Sequence, residues 1–267
     1  MINNRYLRYT LWTILFYASA TVIVMYVADF MIFPHPVPTY SENDPSLIKI
    51  VTKNATVMAK YMPVDNAKAT ILFSHGNAQD LGKIEPVMEA FNRHGYSVFS
   101  YDYQGYGHSS GAPSESNAKR DIRTAFNYLT DTLNIDQKDI VLYGYSLGSG
   151  VSFDLALEHD KVLGIVVEGA FTSTYRTKVP IKIFPVDRFD NYAIINRIKV
   201  PVLFFHGEDD HVVPVTHSQQ LYEKAVSEKD MMIFPDHKHS SLIIKENSEY
   251  WNKLDTWITL IKSKSEV

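Results

Sequence analysis

The sequence contains no cysteine among its 267 residues, which excludes disulfide bridges, thiolate zinc sites and a cysteine nucleophile. It also has no block of basic residues: 26 lysines and arginines stand against 30 aspartates and glutamates, for a formal net charge of −4. Proteins bind nucleic acid through clustered positive charge, so nucleic acid is not expected as the main partner. The remaining composition, 45% hydrophobic and 21% charged, is typical of globular proteins and excludes a low-complexity or disordered polymer.

One long segment near the N-terminus has no charge at all. Residues 9–28 form a run of 20 uncharged residues, and a helix of that length spans about 30 Å, the thickness of a bilayer's hydrocarbon core. The run predicts an uncleaved transmembrane signal-anchor. Two alternatives stay open: a signal peptide, because residues 18–20 read Ala-Ser-Ala, and a buried helix of the globular part.

The charges that flank this segment predict its orientation. Arg5 and Arg8 precede it and Asp29 follows it, so the positive-inside rule places the N-terminus in the cytoplasm. We therefore expect a single-pass membrane protein with its globular part on the non-cytoplasmic side, periplasmic or extracellular in a bacterium.

Three regions are expected along the chain. Residues 1–33 form the tail and anchor, and residues 34–45, which contain four prolines, form a semi-extended linker. Residues 46–267 form one globular domain without an internal repeat.

Short apolar runs alternate with amphipathic patterns throughout that domain, which is typical of a mostly parallel sheet covered by helices on both faces. The expected fold class is α/β, with about eight strands, a short cap, and an antiparallel hairpin turning near Asn54 at one edge. Candidate strands are 47–52, 56–61, 69–74, 97–101, 140–145, 163–168, 200–206 and 231–234. Candidate helices are 82–94, 115–133, 147–159, 215–227 and 241–263.

A nucleophile motif follows one of the central candidate strands. Residues 144–148 read Gly-Tyr-Ser-Leu-Gly and match Gly-x-Ser-x-Gly, in which a serine occupies a sharp turn between a strand and a helix. The pattern is weak alone, but here a β-rich run precedes it and a helical pattern follows. Ser146 is the predicted nucleophile.

A serine needs a base to accept its proton, and the base needs an acid to orient it; in this architecture the chain order is Ser, Asp or Glu, then His. After the strand at 200–206, the spacing Gly-x-x-Asp-x-x-Val-Pro favours Asp210 over Asp209 as the acid. After the last strand, His239 is favoured over His237 as the base. His211 and His217 are expected on the surface.

An oxyanion hole needs backbone N–H groups aimed at the developing negative charge. One is expected from Leu147, the residue after the nucleophile. The second is expected from Asn77, because the loop after the strand at 69–74 reads Ser-His-Gly-Asn-Ala and Gly76 allows a close approach of the backbone.

A metal site is the alternative reading of the same loops. It would gather carboxylates and imidazoles that zinc or iron accepts as ligands, but it leaves the serine motif unexplained. Its ligands would come from Asp209, Asp210, His211, His237 and His239.

Four motifs carry a family resemblance, at residues 74–78, 101–107, 144–150 and 206–210. Together they resemble the α/β-hydrolase superfamily. Within it, the chain is similar to small membrane-tethered serine hydrolases that include eukaryotic protein depalmitoylases, and to serine aminopeptidase-like proteins. The resemblance implies a Ser146–Asp210–His239 triad, Asn77 and Leu147 as oxyanion donors, and no cofactor. Two departures are Gln104, where arginine is frequent, and Lys-His-Ser-Ser at 238–241 in place of Gly-His-Asn-Asp.

The expected function is hydrolysis of carboxylic esters or thioesters, with acyl chains on lipids or lipidated molecules as substrates. A peptidase or amidase is the alternative enzyme, and a non-catalytic binding protein of the same fold is the alternative of another class. The 31 residues between Glu168 and Val200 form the short cap. Its apolar residues Phe171, Tyr175, Ile181, Ile183, Phe184 and Phe189 are candidates for an acyl groove. Its basic residues Arg176, Lys178, Lys182 and Arg188 are candidates for attracting anionic groups.

Overall fold

The computed structural model describes residues 4–34, 36–177, 187–239, 242–243 and 248–265. Eight strands form one sheet in the order β1-β2-β4-β3-β5-β6-β7-β8. The strands are Leu47–Val51, Thr56–Met62, Thr70–Ser74, Ser97–Tyr101, Ile140–Tyr145, Gly164–Glu168, Val202–Gly207 and Lys229–Phe234, numbered β1 to β8. Each agrees with a strand predicted from the sequence to within two residues.

The pairing of the strands confirms a mostly parallel sheet. From β4 to β8 all neighbours are parallel, whereas β1 pairs with β2 and β2 with β4 in antiparallel fashion. The antiparallel hairpin lies at the edge, with Val51 opposite Thr56. The interior strands β3, β5 and β6 are buried along their whole length, which explains why they are apolar on both faces.

Seven α-helices lie among the described residues. They are Asn4–Ile32, Leu81–Arg93, Glu115–Asn127, Leu147–Ala156, Asn191–Ile194, Thr216–Lys224 and Ser248–Ser265, numbered α1 to α7. Helices α3, α4 and α6 pack into the apolar layer on one face of the sheet. Helices α2 and α7 pack into the layer on the other face. This two-sided arrangement brings the loops after β3, β5, β7 and β8 together at the carboxyl edge, where such sheets bind ligands.

Several predicted helix bounds are wrong. The helix predicted over 115–133 ends as α-helix at Asn127 and continues as one π-helical turn, Tyr128–Thr132. The helices predicted over 147–159 and 215–227 end at Ala156 and Lys224. The helix predicted from residue 241 is described as α-helix over Ser248–Ser265, while Leu242 and Ile243 lie outside regular α-helix. Residues 240, 241 and 244–247 lie outside the described residues.

The N-terminal helix α1 stands largely apart from the globular core. It has 29 residues, and its segment Arg5–Val24 is long and apolar enough to cross a membrane, the one such helix among the described residues. Large apolar side chains within residues 6–23 are exposed, with Trp12 and Phe16 accessible over 68% and 77% of their surface. The buried-helix alternative is therefore wrong, and both a membrane anchor and a signal sequence fit this helix.

The proline-rich segment after α1 does not run free as a spacer. Thr39 donates hydrogen bonds from its N–H and its hydroxyl to the carboxylate of Asp80, at 2.6 and 2.5 Å. Tyr40 donates its hydroxyl proton to Asp102, at 2.5 Å. The segment is bound to the surface of the domain, so it is shorter in reach than the extended tether expected from its prolines.

Candidate active site

The candidate nucleophile lies on a strained turn between β5 and α4. Ser146 has φ +51° and ψ −114°, a conformation that residues with a side chain rarely adopt. Glycines stand two residues before and two residues after Ser146 because the turn is crowded. A Cβ on Gly148 would lie 1.9 Å from the carbonyl oxygen of Ser74, and one on Gly144 would lie 2.5 Å from the Cα of Ser149. The turn therefore has the geometry that the Gly-x-Ser-x-Gly pattern predicts.

Ser146 begins a continuous chain of hydrogen bonds with the other two predicted residues. Its Oγ lies 2.9 Å from Nε2 of His239, and Nδ1 of the same ring lies 2.5 Å from Oδ2 of Asp210. Asp210 follows β7 and His239 follows β8, so parallel strands deliver all three side chains to one edge of the sheet. An imidazole in this position is suited to accept the serine proton while the carboxylate orients it.

Asp210 is held in place by the backbone of its own loop. Its Oδ1 accepts hydrogen bonds from the N–H groups of Val212 and Val213, both at 2.8 Å. Burial alone would raise the pKa of this carboxyl, but hydrogen bonds from His206 and His239 and the adjacent backbone N–H outweigh burial and hold the pKa well below its usual range. The carboxylate is therefore ionised wherever the protein is folded near neutral pH.

The alternative candidates on the same loops are exposed or make other contacts. Asp209 is exposed, and Nδ1 of His237 lies 2.7 Å from the carbonyl of Pro235 in its own turn. His211 is exposed as expected. The expectation for His217 is wrong: it is buried, and its ring nitrogen accepts the N–H of Thr172 at 3.2 Å, because α6 packs against the start of the cap.

No group of three or more histidine, aspartate or glutamate side chains suited to a metal ion occurs within the part of the chain that the structure describes.

The loop expected to supply the second oxyanion donor lies directly beside the turn that carries Ser146. Ser74, at its start, pairs in register with Gly144 of β5. The ring of Tyr145 packs so closely on the backbone of Gly76 that a Cβ there would lie 2.7 Å from a ring carbon. Leu147 is the first residue of α4, where N–H groups have no acceptor inside the helix. The loop that carries Asn77 and the start of α4 are thus neighbours.

Sequence reasoning missed a buried carboxylate behind the histidine. Glu168 ends β6 and is fully buried; it accepts the Tyr143 hydroxyl and the Leu242 N–H, both at 2.7 Å. Burial raises its pKa to about 7, against the lowering effect of these two hydrogen bonds. A carboxylate that ends an otherwise apolar strand was the available signal. Because Leu242 follows His239 by three residues, this bond fixes the loop that carries the base.

Tyr145 is a second residue that the sequence did not single out. Its hydroxyl donates to the backbone carbonyl of His239, and its ring centroid lies 5.5 Å from the imidazole. The residue before the nucleophile therefore holds the backbone of the base directly.

The cap residues within the described chain are mostly packed or paired. Phe171 and Phe189 are buried in the apolar layer over α4 and form core, not an open groove, and Tyr175 is half-buried against the same layer. Arg176 lies within 4.0 Å of Asp187 and Asp190, and Arg188 lies 3.8 Å from Glu115. Other cap candidates lie outside the described residues, namely Lys178, Ile181, Lys182, Ile183 and Phe184. A shallow recess beside His239 is lined by Tyr145, Gly169, Asp210 and Leu242.

Comparison with known proteins agrees with this architecture. A family model described as serine aminopeptidase, S33, matches residues 65–185 and 192–246, about two thirds of the chain. The protein aho-3 of Caenorhabditis elegans, an alpha/beta hydrolase domain-containing protein, is 33% identical over 218 residues, which are 80% of this chain and 65% of that protein. Human alpha/beta hydrolase domain-containing protein 17B is 38% identical over 162 residues, 60% of this chain and 56% of that protein. The chain thus matches less than two thirds of the length of these relatives.

Solved structures of low sequence identity share the fold. An esterase of Pyrococcus furiosus superposes with a TM-score of 0.71 at 18% identity, over 85% of this chain and 97% of that one. A monoglyceride lipase of Saccharomyces cerevisiae superposes with a TM-score of 0.65 at 16% identity, over 84% and 98%. Because a family model matches about two thirds of the chain, and the sheet and the strained turn at Ser146 agree with it, the chain belongs to the α/β-hydrolase superfamily, in the family described as serine aminopeptidase, S33.

Proposed function

We propose that this protein is a membrane-anchored serine hydrolase that cleaves carboxylic esters or thioesters through an acyl-enzyme. The observation that carries the proposal is the unbroken hydrogen-bonded chain from Asp210 through His239 to Oγ of Ser146. A buried, ionised carboxylate on one ring nitrogen favours an imidazole that accepts a proton on the other. The esterase and lipase names of the structural neighbours support the hydrolase class, since those folds match this chain over more than four fifths of its length.

The reaction then follows two steps. His239 takes the proton of Ser146 while Oγ forms a bond to the acyl carbon, and the N–H groups of Asn77 and Leu147 stabilise the oxyanion. The imidazolium gives its proton to the leaving alcohol or thiol as the acyl-enzyme forms. Water next attacks the acyl carbon, the same imidazole takes the proton of that water, and the carboxylic acid is released with Ser146 restored.

Acyl chains on lipids or lipidated molecules are the proposed substrate class. The apolar helix α1 leads directly into the segment that is bound to the catalytic domain, which favours substrates at a membrane surface. We also propose that residues 1–33 anchor the chain, that residues 34–45 connect the anchor to the domain at 46–267, and that the domain faces the non-cytoplasmic side. Protease added to intact cells or spheroplasts should digest the domain, whereas protection until lysis would reverse the orientation.

Aminopeptidase or amidase activity is the second candidate, favoured by the description of the matching family model. One substrate series separates the two. Full-length protein in detergent micelles is assayed with acyl esters and thioesters of rising chain length and with aminoacyl amides and peptides. We expect turnover of the esters and thioesters, loss of it in Ser146→Ala and His239→Ala, and little change in the control His237→Ala. Faster turnover of the amides would replace this proposal with the second candidate, and equal ester turnover in Ser146→Ala would overturn both.

A further inference from the structure

The end of helix α1 lies against the loop that carries the proposed oxyanion donor. The side-chain amide of Asn77 donates a hydrogen bond from Nδ2 to the backbone carbonyl of Ile32, at 2.5 Å. Its Oδ1 accepts the hydroxyl proton of Tyr106, at 2.6 Å, and the N–H of Ala78, at 3.1 Å. The amide is therefore bonded at both ends, and its donor half binds the residue at which α1 ends.

Phe33 extends this contact into an aromatic cluster. It is completely buried, unlike most large side chains of α1. Its ring meets the ring of Tyr106 edge-on with centroids 6.5 Å apart, and the ring of Phe189 at 6.2 Å. Phe189 has φ +47° and donates its N–H to Glu115, so a cap residue is held in an unfavourable conformation where it reaches Phe33. Edge-on aromatic pairs of this kind stabilise a contact beyond the burial of their surface.

Thr39 and Tyr40, a few residues after Phe33, contact the other end of the loop that carries Asn77. Asp80 caps the start of α2, and it accepts two hydrogen bonds from Thr39. Asp102 accepts the hydroxyl of Tyr40 and also the N–H of Leu81, the first residue of α2. Residues 32–34 and 36–40 thus contact both Asn77 and the helix that begins four residues later. A tether that served only to hold the domain at a membrane would need none of these contacts.

We propose that residues 32–34 and 36–40 are part of the active site, and that Ile32, Phe33 and the side chain of Asn77 are positioning residues that hold the backbone N–H of Asn77 in place for the oxyanion. The inference rests on the proposed function, because it assigns a purpose to the Asn77 backbone. Its consequence is that anchoring and catalysis are coupled: a chain cut after residue 33 loses the groups that hold the loop. Displacement of a reacting group by about 1 Å costs up to about 100-fold in rate.

The test uses full-length protein in detergent micelles with a short, soluble ester, so that access from a membrane does not limit the reaction. We expect Phe33→Ala to lower kcat by about 10- to 100-fold with little change in KM, and Phe33→Tyr to restore most of it. Asn77→Asp keeps an acceptor for Tyr106 but removes the donor to Ile32, and we expect a similar loss of kcat. Trp12→Ala, at an exposed position of α1, is the matched control. Circular dichroism and a thermal melt identify any variant that has not folded.

Hydrogen exchange at the amides of residues 76–79 separates this inference from the proposed function, because it needs no turnover. Faster exchange there in Phe33→Ala and Asn77→Asp, but not in Trp12→Ala, is the expected result. Unchanged exchange together with wild-type kcat would overturn the inference while Ser146-dependent turnover stands. A loss confined to KM, or seen with vesicle-bound substrates alone, would also overturn it, since the segment would then deliver substrate without holding the loop. Absence of Ser146-dependent turnover in the wild type would instead defeat the proposed function.

Discussion

The loops that carry Ser146, Asp210 and His239 and the loop that carries Asn77 meet at one edge of the sheet, but different contacts hold them there. The first three are linked to one another, with distances of 2.5 and 2.9 Å along the chain of hydrogen bonds. The loop of Asn77 is instead held by residues with no proposed catalytic role, at positions 32, 39 and 106. We call the loops of the proposed triad the triad side, the loop of the proposed oxyanion donor the oxyanion side, and residues 32–34 and 36–40 the anchor segment. We therefore expect the triad side to be most sensitive to substitution of the triad residues themselves, and the oxyanion side to be sensitive also to substitutions in the anchor segment.

The largest expected effect separates the two adjacent aspartates of the triad side. Asp210→Asn leaves the shape of the loop intact but removes the negative charge that orients His239 and stabilises its protonated form. In the serine protease triad the equivalent change lowers kcat by about 10⁴-fold, and we expect a loss of that order here. The control Asp209→Asn, at an exposed site one residue earlier, should retain wild-type kcat. Equal losses in the two variants, or a loss in the control alone, would assign the acid differently.

The Glu168→Gln variant tests the buried carboxylate that supports the triad side, through the pH dependence of the free energy of unfolding. The folded pKa of Glu168 is about 7, above its ordinary value of 4.5, so the folded protein binds more protons than the unfolded chain between these values. The free energy of unfolding contributed by this group is therefore fully present below about pH 4.5 and is lost as pH rises through 7, by up to about 3 kcal/mol. Urea unfolding at pH 5 and pH 8 should show that glutamine, which cannot ionise, gains stability over the wild type as pH rises. Parallel profiles for Glu168→Gln, wild type and the exposed control Glu223→Gln would contradict this.

Gly82→Ala tests whether the anchor segment is truly docked on the oxyanion side. A Cβ on Gly82 would lie 2.5 Å from Oγ1 of Thr39 and 2.9 Å from its backbone carbon. Alanine favours a free helix over glycine by about 1 kcal/mol. With Thr39 in place we expect the opposite sign, a lower melting temperature and faster proteolysis within residues 33–45. Glu89→Ala, on the exposed side of the same helix, is the control, and a higher melting temperature in Gly82→Ala would place the segment elsewhere.

The smallest expected effect comes from one hydroxyl. Tyr106→Phe keeps the ring that packs on Phe33 but removes the hydrogen bond to Oδ1 of Asn77. A hydrogen bond of this kind contributes about 1 kcal/mol, so we expect kcat to fall about 5-fold. Tyr128→Phe, on the π-helical turn, should leave kcat unchanged. A wild-type rate in Tyr106→Phe would mean that packing alone holds the Asn77 side chain.

The residues of the triad side could be predicted from the sequence because they follow the strands in a fixed order. Glycines around Ser146, a spacing that selects Asp210, and a histidine after the last strand are local patterns, and alternating apolar runs predicted the eight strands closely. The contacts that hold these residues in place are harder to predict from the sequence. The hydrogen bond from the Leu242 N–H to Glu168 joins residues 74 positions apart; the carboxylate at the end of an apolar strand marks Glu168 as unusual, but the sequence does not indicate its partner.

On the oxyanion side, local sequence preferences did not reveal the contacts that hold the segment after α1. Prolines at 34, 36 and 38 favour an extended backbone, and that local preference predicts a linker whether or not the segment is bound. Docking depends on Thr39 and Tyr40 meeting Asp80 and Asp102, which are 41 and 62 positions away. Gln104 is similar: its side chain donates a hydrogen bond to the buried Asp121, at a position where arginine is frequent in the family that the chain resembles. Tertiary contacts of ordinary polar residues leave no periodic signature in a sequence.

The central claim is that Ser146 is activated by His239, and labelling with a fluorophosphonate probe tests it most directly. Full-length protein is labelled in detergent, digested, and the modified peptide identified by mass spectrometry. We predict a single adduct on Ser146 that is absent in Ser146→Ala, forms far more slowly in His239→Ala, and forms at the wild-type rate in His237→Ala. A folded wild-type protein that does not label, or that labels on another residue, would contradict the account.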